Sequence, residues 1–354
     1  MPGGAPLDAG QLGLLRSLVQ AAGVPGREDA VRSLIRSRAQ ALSLFDELRT
    51  DTLGSLIGIR KPRGGGGSAP VRVLLSAHMD QVGFLVSHVS QDGHLRLHPV
   101  GDFDPRGLVS CRLRIHTEGG VLTGVLMPEG HPVHTGKPED RTKTPPLPEF
   151  YVDLGSAAQA GPVQLGDMAV FDSPFADLGD CVMGPALDNR IGCWALLEAL
   201  AALDRHDCEI TAVWSAQEEL GSRGMEPVAR TMPADIGISC DTVVACDVPG
   251  IPEAQSVCRL GGGMALVVAD SSTLSDMTVL RAVEGVARAA RIPVQRCLME
   301  GGGQDGALIQ RARDGVRTLV LSCPVRHMHS ANEIAAKSDI AAYAALLTAY
   351  LSRV

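Results

Sequence analysis

The stretch Glu209-Ile210-Thr211-Ala212-Val213-Trp214-Ser215-Ala216-Gln217-Glu218-Glu219-Leu220-Gly221 decides the fold. Residues 210–216 are too apolar to leave one face in water, so 209–215 reads as a buried strand of a parallel sheet. At its carboxyl end the strand delivers two adjacent carboxylates, Glu218 and Glu219. Like charges that are buried or half-buried are costly unless a cation or a proton resolves them. A metal site with a general base beside it would do both.

Working outward, the same helix and strand alternation recurs on both sides. Upstream, residues 7–22 and 27–42 carry apolar positions at helical spacing, and Gly23 and Pro25 stop the first helix. Strands are predicted at 53–59 and 71–76, with a flexible glycine turn at 64–67. No Lys-Ser or Lys-Thr follows that turn, so it is not a phosphate loop. Downstream, 186–203 reads as a helix, 236–240 and 264–268 as strands, 278–290 as a helix, 316–321 as a strand and 339–351 as a closing helix. Such alternation means an α/β fold, a mixed and mostly parallel sheet flanked by helices.

Between about 83 and 169 the pattern changes. Short alternating segments at 83–89, 95–98, 108–116 and 121–127 are separated by Gly, Asp and Pro, and no helical period emerges. This is read as an inserted small β-barrel-like domain. Residues 128–148 within it contain six prolines and read as a loop. The expected division is therefore 1–82 and 170–354 for the α/β domain, with 83–169 inserted.

Composition limits the functional classes. The 354 residues allow one large domain or one domain with an insertion. Apolar residues are 45% and charged residues 20%, the balance of an ordinary soluble globular chain. A net charge of -8 with no basic stripe speaks against nucleic acid. No apolar run approaches the roughly 18 residues of a membrane span. Met1 to Pro6 show no basic and apolar leader pattern. The nine cysteines form no Cys-x-x-Cys pair, so reduced thiols and a cytoplasmic location are expected.

Candidate ligands gather where predicted strands end, the place where open α/β sheets build their sites. The strand at 71–76 runs into Ala77-His78-Met79-Asp80. His78 is a plausible ligand, and Asp80 lies on the same face of an extended segment, where it would orient the imidazole. In Gly184-Pro185-Ala186-Leu187-Asp188-Asn189-Arg190-Ile191-Gly192, Asp188 is expected in the first turn of an apolar helix. Its plain alternative there is a carboxylate favoured by the helix dipole. Asp241 follows the strand at 236–240, whereas Asp247, next to Pro249 and Gly250, reads as a turn residue. His327 and His329 share a face if extended, and spacing does not choose between them. The set holds the inventory of a two-metal hydrolase: a bridging carboxylate, one carboxylate and one His per metal, and a free carboxylate as base. Mixed N and O ligands suit zinc, cobalt or manganese.

These motifs, in this order, resemble the glutamyl aminopeptidase and tetrahedral aminopeptidase family of co-catalytic metallopeptidases, peptidase family 42. The resemblance rests on Ala77-His78-Met79-Asp80-Gln81-Val82-Gly83, Ala186-Leu187-Asp188-Asn189-Arg190-Ile191-Gly192, Ser215-Ala216-Gln217-Glu218-Glu219-Leu220-Gly221, Cys240-Asp241-Thr242 and His329-Ser330. Tyr151-Val152-Asp153-Leu154-Gly155 and Gly166-Asp167 add to it, and it spans nearly the whole chain. It implies that Asp188 bridges two divalent ions. His78 and Asp241 would complete one, Glu219 and His329 the other, with Glu218 as general base and Asp80 holding His78. The resemblance thereby selects Asp241 over Asp247 and His329 over His327.

The activity it implies is metal-dependent removal of N-terminal residues from short peptides. The partner it implies is the chain itself, in dimers made through the β insertion that assemble further into a dodecamer. Departures from the family pattern are Gln81 for Glu, His327-Met328 before the last motif, Ala331 after its Ser, and Gly302-Gly303-Gln304-Asp305-Gly306 for Gly-Gly-Thr-Asp-Ala. The rival expectations are another two-metal hydrolase, acting on N-acyl amino acids or glycans, and an inactive scaffold. Aromatics at 3% argue against the stacking platforms that sugar sites use.

Overall fold

The computed structural model describes residues 6–64, 69–132, 134–137 and 143–354, so the glycine turn at 64–67 and the proline-rich loop lie partly outside it. Helices α1 (Ala9–Gln20) and α2 (Asp29–Ala41) lead the chain. α1 begins at a reciprocal cap: the Asp8 carboxylate accepts the Gln11 amide, and the Gln11 side chain accepts the Asp8 amide. Strands β1 (Glu47–Thr50), β2 (Leu56–Arg60) and β3 (Arg72–His78) follow. β2 starts later than the predicted 53 because residues 51–55 form a turn in which Asp51 accepts the Ser55 amide at 2.9 Å.

The segment of short alternations is a closed barrel. Its strands are β4 (Gly83–Val89), β5 (Leu95–Val100), β6 (Cys111–Thr117), β7 (Gly120–Pro128), β8 (Phe150–Asp153) and β9 (Met168–Phe171). They pair in the order β4-β5-β8-β7-β6-β9, and β9 returns to β4. Closure leaves no unpaired strand edge. Aromatic residues are scarce in this chain but concentrate here. Phe84 stacks on Phe103 with centroids 4.6 Å apart, and Phe171 meets both edge-on. Each fully buried ring of this kind contributes about 1.5–3 kcal/mol.

The chain then forms β10 (Ala176–Asp177), β11 (Cys181–Gly184), α3 (Leu187–Ala202), β12 (Glu209–Ser215), α4 (Met225–Thr231) and β13 (Ile236–Val244). After these come β14 (Met264–Ala269), α5 (Met277–Ala290), β15 (Val294–Leu298), α6 (Gly306–Gln310), β16 (Arg317–Val325), β17 (Glu333–Ala336) and α7 (Lys337–Leu351). Eight strands form the main sheet in the order β1-β2-β12-β3-β13-β16-β14-β15. Its centre, β12-β3-β13-β16, is parallel, while β1, β2 and the β14–β16 pair bring in antiparallel edges.

The continuous apolar runs have the cause expected of them: both faces of the sheet are covered. Val73, Leu75, Ala212 and Trp214 pack with α1, α2, α3, α5 and α7, whereas Leu74 and Val213 pack with α4 and α6. No helix among the described residues is long and apolar enough to cross a membrane.

Candidate active site

The parallel centre of the sheet aims its carboxyl ends at one cavity of about 390 Å³, lined among others by His78, Asp188, Glu218, Glu219, Asp241 and His329. His78 is the last residue of β3 and pairs with Ser215, the last of β12. Beyond Ser215 the chain turns sharply. Gln217 takes a left-handed conformation with φ 56°, and Glu218–Leu220 makes one 3-10 turn. Asp80 holds that turn: its two carboxylate oxygens accept the amides of Glu218 and Glu219, each at 3.0 Å.

The sequence assigned Asp80 to orient His78. The structure places the Asp80 carbonyl 3.2 Å from His78 Nδ1 and its carboxylate at 3.6 Å, so the nearer acceptor is the backbone. Either way Nδ1–H is occupied, and Nε2 faces the cavity.

Asp188 was expected in a helical first turn. Instead Asp188 and Asn189 are non-helical, with ψ of 112° and 42°. Tertiary bonds outcompete the helix there. The Asp188 amide donates to Glu333 at 2.9 Å, and Asn189 Nδ2 donates to the Cys240 carbonyl at 2.9 Å. Gly192 permits this close approach: a Cβ there would meet Asn189 Oδ1 at 2.2 Å and the Cys240 carbonyl oxygen at 2.8 Å.

Asp241 does not end its strand, since β13 continues to Val244. The β13–β3 pairing stops at Ser239, however, and only β16 accompanies β13 further. Asp241 therefore stands just past the edge that β3 leaves open, beside His78.

His329 sits in a left-handed turn with φ 61°. Its Nδ1–H donates to the Asp102 carbonyl at 2.8 Å, in the loop after β5, so its Nε2 also points inward. The two alternatives lie elsewhere: Asp247 is engaged by Arg326 through two bonds of 2.6 Å, and His327 does not line the cavity.

Two groups of potential ligands result, His78/Asp188/Asp241 and Asp188/Glu219/His329. Asp188 belongs to both and gives one oxygen to each side. Its Oδ1 is 3.3 Å from His78 Nε2, and its Oδ2 is 3.4 Å from His329 Nε2. Asp241 Oδ1 lies 3.5 Å from His78 Nε2, and Glu219 Oε2 lies 3.6 Å from His329 Nε2. Glu218 stands in neither group; its Oε1 accepts the Ser222 hydroxyl at 3.0 Å.

The electrostatics call for positive charge. Burial pushes Glu218 well above the carboxylate range, with Asp241, Asp305 and Glu219 adding to it against His78. Burial likewise lifts Glu219 to about 8. Burial opposes charge on the imidazoles, yet Asp188 and Glu219 raise His329 to about 10, and Asp241 and Asp188 hold His78 well above its ordinary value. Asp188, although buried, is driven down by His329 and His78. Asp188 Oδ1 and Glu219 Oε1 are buried and accept no hydrogen bond. A crowded carboxylate set with inward imidazole nitrogens and unsatisfied oxygens fits divalent cations of the borderline type.

Two buried carboxylates at the site escaped the sequence reading. Glu333 accepts the amides of both Asp188 and His329. Asp305, within the noted glycine-rich motif, accepts the Ser215 hydroxyl at 2.5 Å, and burial lifts it to about 7. No local signal pointed to Glu333, because its strand, Glu333–Ala336, is only four residues long.

The sequence matches the M42 glutamyl aminopeptidase family over residues 54–346. The lysyl aminopeptidase of Pyrococcus furiosus is 31% identical, over 92% of this chain and 92% of that protein. Among solved structures, an aminopeptidase from the archaeon Desulfurococcus kamchatkensis superposes with a TM-score of 0.90 at 30% identity, covering 98% of this chain and 95% of that one. The TET1 peptidase of Pyrococcus horikoshii gives a TM-score of 0.84 at 26% identity, over 97% and 100% of the two chains. The family match covers most of the chain and the relatives match it over nearly their whole length, and the chain belongs to the M42 glutamyl aminopeptidase family of peptidases.

Proposed function

We propose that this protein is a metal-dependent aminopeptidase that removes N-terminal residues from short peptides. The observation that carries the reading is the Asp188 carboxylate, shared between two imidazole–carboxylate groups, with Glu218 beside them and outside both. His78, Asp188 and Asp241 would hold one divalent ion, and Asp188, Glu219 and His329 the other. When bound, zinc, cobalt or manganese would supply Lewis acidity to a carbonyl and acidify water.

Glu218 takes the proton as the water oxygen attacks the scissile carbonyl carbon. It returns that proton to the amine as the C–N bond breaks. Ser222 holds one oxygen of Glu218 and so fixes the direction of the other. Asp80 sets the turn that sends Glu218 and Glu219 into different tasks.

The test uses aminoacyl anilides, N-acylated amino acids and carboxymethylcellulose, with enzyme stripped by EDTA and then restored with each metal. Hydrolysis of the free-amine substrates alone, lost on stripping and regained with metal, is the expected result. Cleavage of N-blocked substrates only, or of the polysaccharide, would overturn it.

We also assign the catalytic role to 1–82 with 170–354, and the assembly role to the barrel region 83–169. The Pyrococcus horikoshii relative can assemble into a tetrahedron or a large octahedral shell, which supports a homo-oligomer, ultimately a dodecamer, for this chain. Light scattering should give a particle far above the 37.1 kDa of one chain; a monomer at micromolar concentration would sink this assignment. All nine cysteines are free, which supports a reducing, cytoplasmic setting.

A further inference from the structure

Glu333 opens β17, is 1% exposed, and does not line the cavity. Its carboxylate is nonetheless fully committed to the site. Oε2 accepts the Asp188 amide at 2.9 Å, and Oε1 accepts the His329 amide at 2.8 Å. The two donors are far apart in sequence, and neither lies in regular structure. Asp188 interrupts α3, and His329 has φ 61°.

The framework around Glu333 is firm by contrast. β17 pairs with β11 in a three-stranded sheet, with Glu333 opposite Gly184, just upstream of Asp188. Ile334 and Arg326 exchange backbone bonds on the other side, bracketing the His329 turn. One rigid strand end thus reaches both irregular segments. Asp80 makes the same kind of two-amide clamp on Glu218 and Glu219.

We infer that Glu333 is a positioning residue that sets the spacing between the Asp188 and His329 side chains, and so selectively builds the Asp188/Glu219/His329 group. The inference rests on the metal reading above only for its metal readout. Of the two clamped residues, the His78 group contains Asp188 alone, whereas the other group contains both. Loss of the clamp therefore falls unequally on the two groups. A carboxylate accepts on both oxygens. An amide accepts on one and presents its NH2 to the other backbone N–H, so Glu333→Gln must release one donor. Glu333→Asp is one methylene too short to reach both.

Cobalt titration of the metal-free full-length protein is the first test. Wild type is expected to bind two ions. In Glu333→Gln and Glu333→Asp both ions are expected to bind more weakly, one only slightly through Asp188 and the other about 10–100-fold, the usual cost of disturbing a ligand's support. Equal weakening of both ions, or of neither, would overturn the inference.

Amide hydrogen exchange on the same metal-free proteins is the second test, and it is independent of cobalt. Faster exchange confined to 186–190 and 327–331 supports the clamp; faster exchange spread through the main sheet makes Glu333 merely structural. Should wild type bind no cobalt, the metal reading fails while the exchange pattern still decides the role of Glu333.

Discussion

Glu218→Gln is expected to lower kcat by about 10²–10⁴-fold, the usual range for losing a general acid–base group, while two metal ions per chain remain bound. The amide keeps the shape of the side chain and can still accept the Ser222 hydroxyl, a bond of 3.0 Å in the native protein. It cannot take a proton. Its backbone amide stays on Asp80, so the 3-10 turn that also carries Glu219 has no reason to move. Glu219→Gln should behave differently. Glu219 Oε2 stands 3.6 Å from His329 Nε2 as a member of one potential ligand group, so its loss should raise the metal concentration needed for half activity. Steady-state kinetics on an alanyl anilide, with metal content measured on the same samples, separates the two. Near-native turnover in Glu218→Gln would dismiss the proposed proton carrier.

The neighbouring pair also illustrates what a sequence can and cannot reveal about such a site. The apolar run at 210–216 exposed the sheet, because a strand covered on both faces leaves a continuous hydrophobic signal. The acidic pair at its end followed by position alone. Barrel strands were legible through their alternation, although β8 and β9, four residues each, were too short to stand out. The small sheet of β10, β11 and β17 was invisible for the same reason.

The non-helical Asp188 was hidden by a different cause. The apolar run over 186–203 reads as one continuous helix, and the tertiary acceptors Glu333 and Cys240, which take the Asp188 amide and the Asn189 side chain, have no local signature. The strand carrying Asp241 was ended too early, at 240 instead of Val244, because β13 outlasts its pairing with β3 and runs on beside β16 alone. Clamps such as Glu333 are relations between distant backbone amides, and one sequence carries no pattern for them.

Asp188→Asn is expected to remove tight metal binding from both groups at once and with it the activity. Asp188 is the residue the two groups share among the described residues, and it faces His78 on one oxygen and His329 on the other. Asparagine retains one acceptor oxygen and no charge, so no single orientation serves both sides. Leaving a buried charge without its partner costs about 3–5 kcal/mol; in the variant the charges left short of a partner are the bound cations, so the cost falls on metal affinity, about 10²–10⁴-fold.

The sign of the stability change distinguishes this loss from simple unfolding. Without metal, the substitution takes a negative charge away from a site that already crowds Glu219 and Asp241, but it also strips both imidazoles of a partner. These effects oppose each other, so the metal-free variant should unfold near the wild-type temperature. With metal the two proteins should part. Wild type gains RT ln(1 + [L]/Kd), about 2.7 kcal/mol at a hundredfold excess over Kd, and the variant gains almost nothing at the same concentration. Thermal unfolding of both proteins with and without cobalt measures the difference. An equal upward shift in Asp188→Asn would mean that the ions are held without the shared carboxylate, and the two-group site would have to be redrawn around His78 and His329 separately.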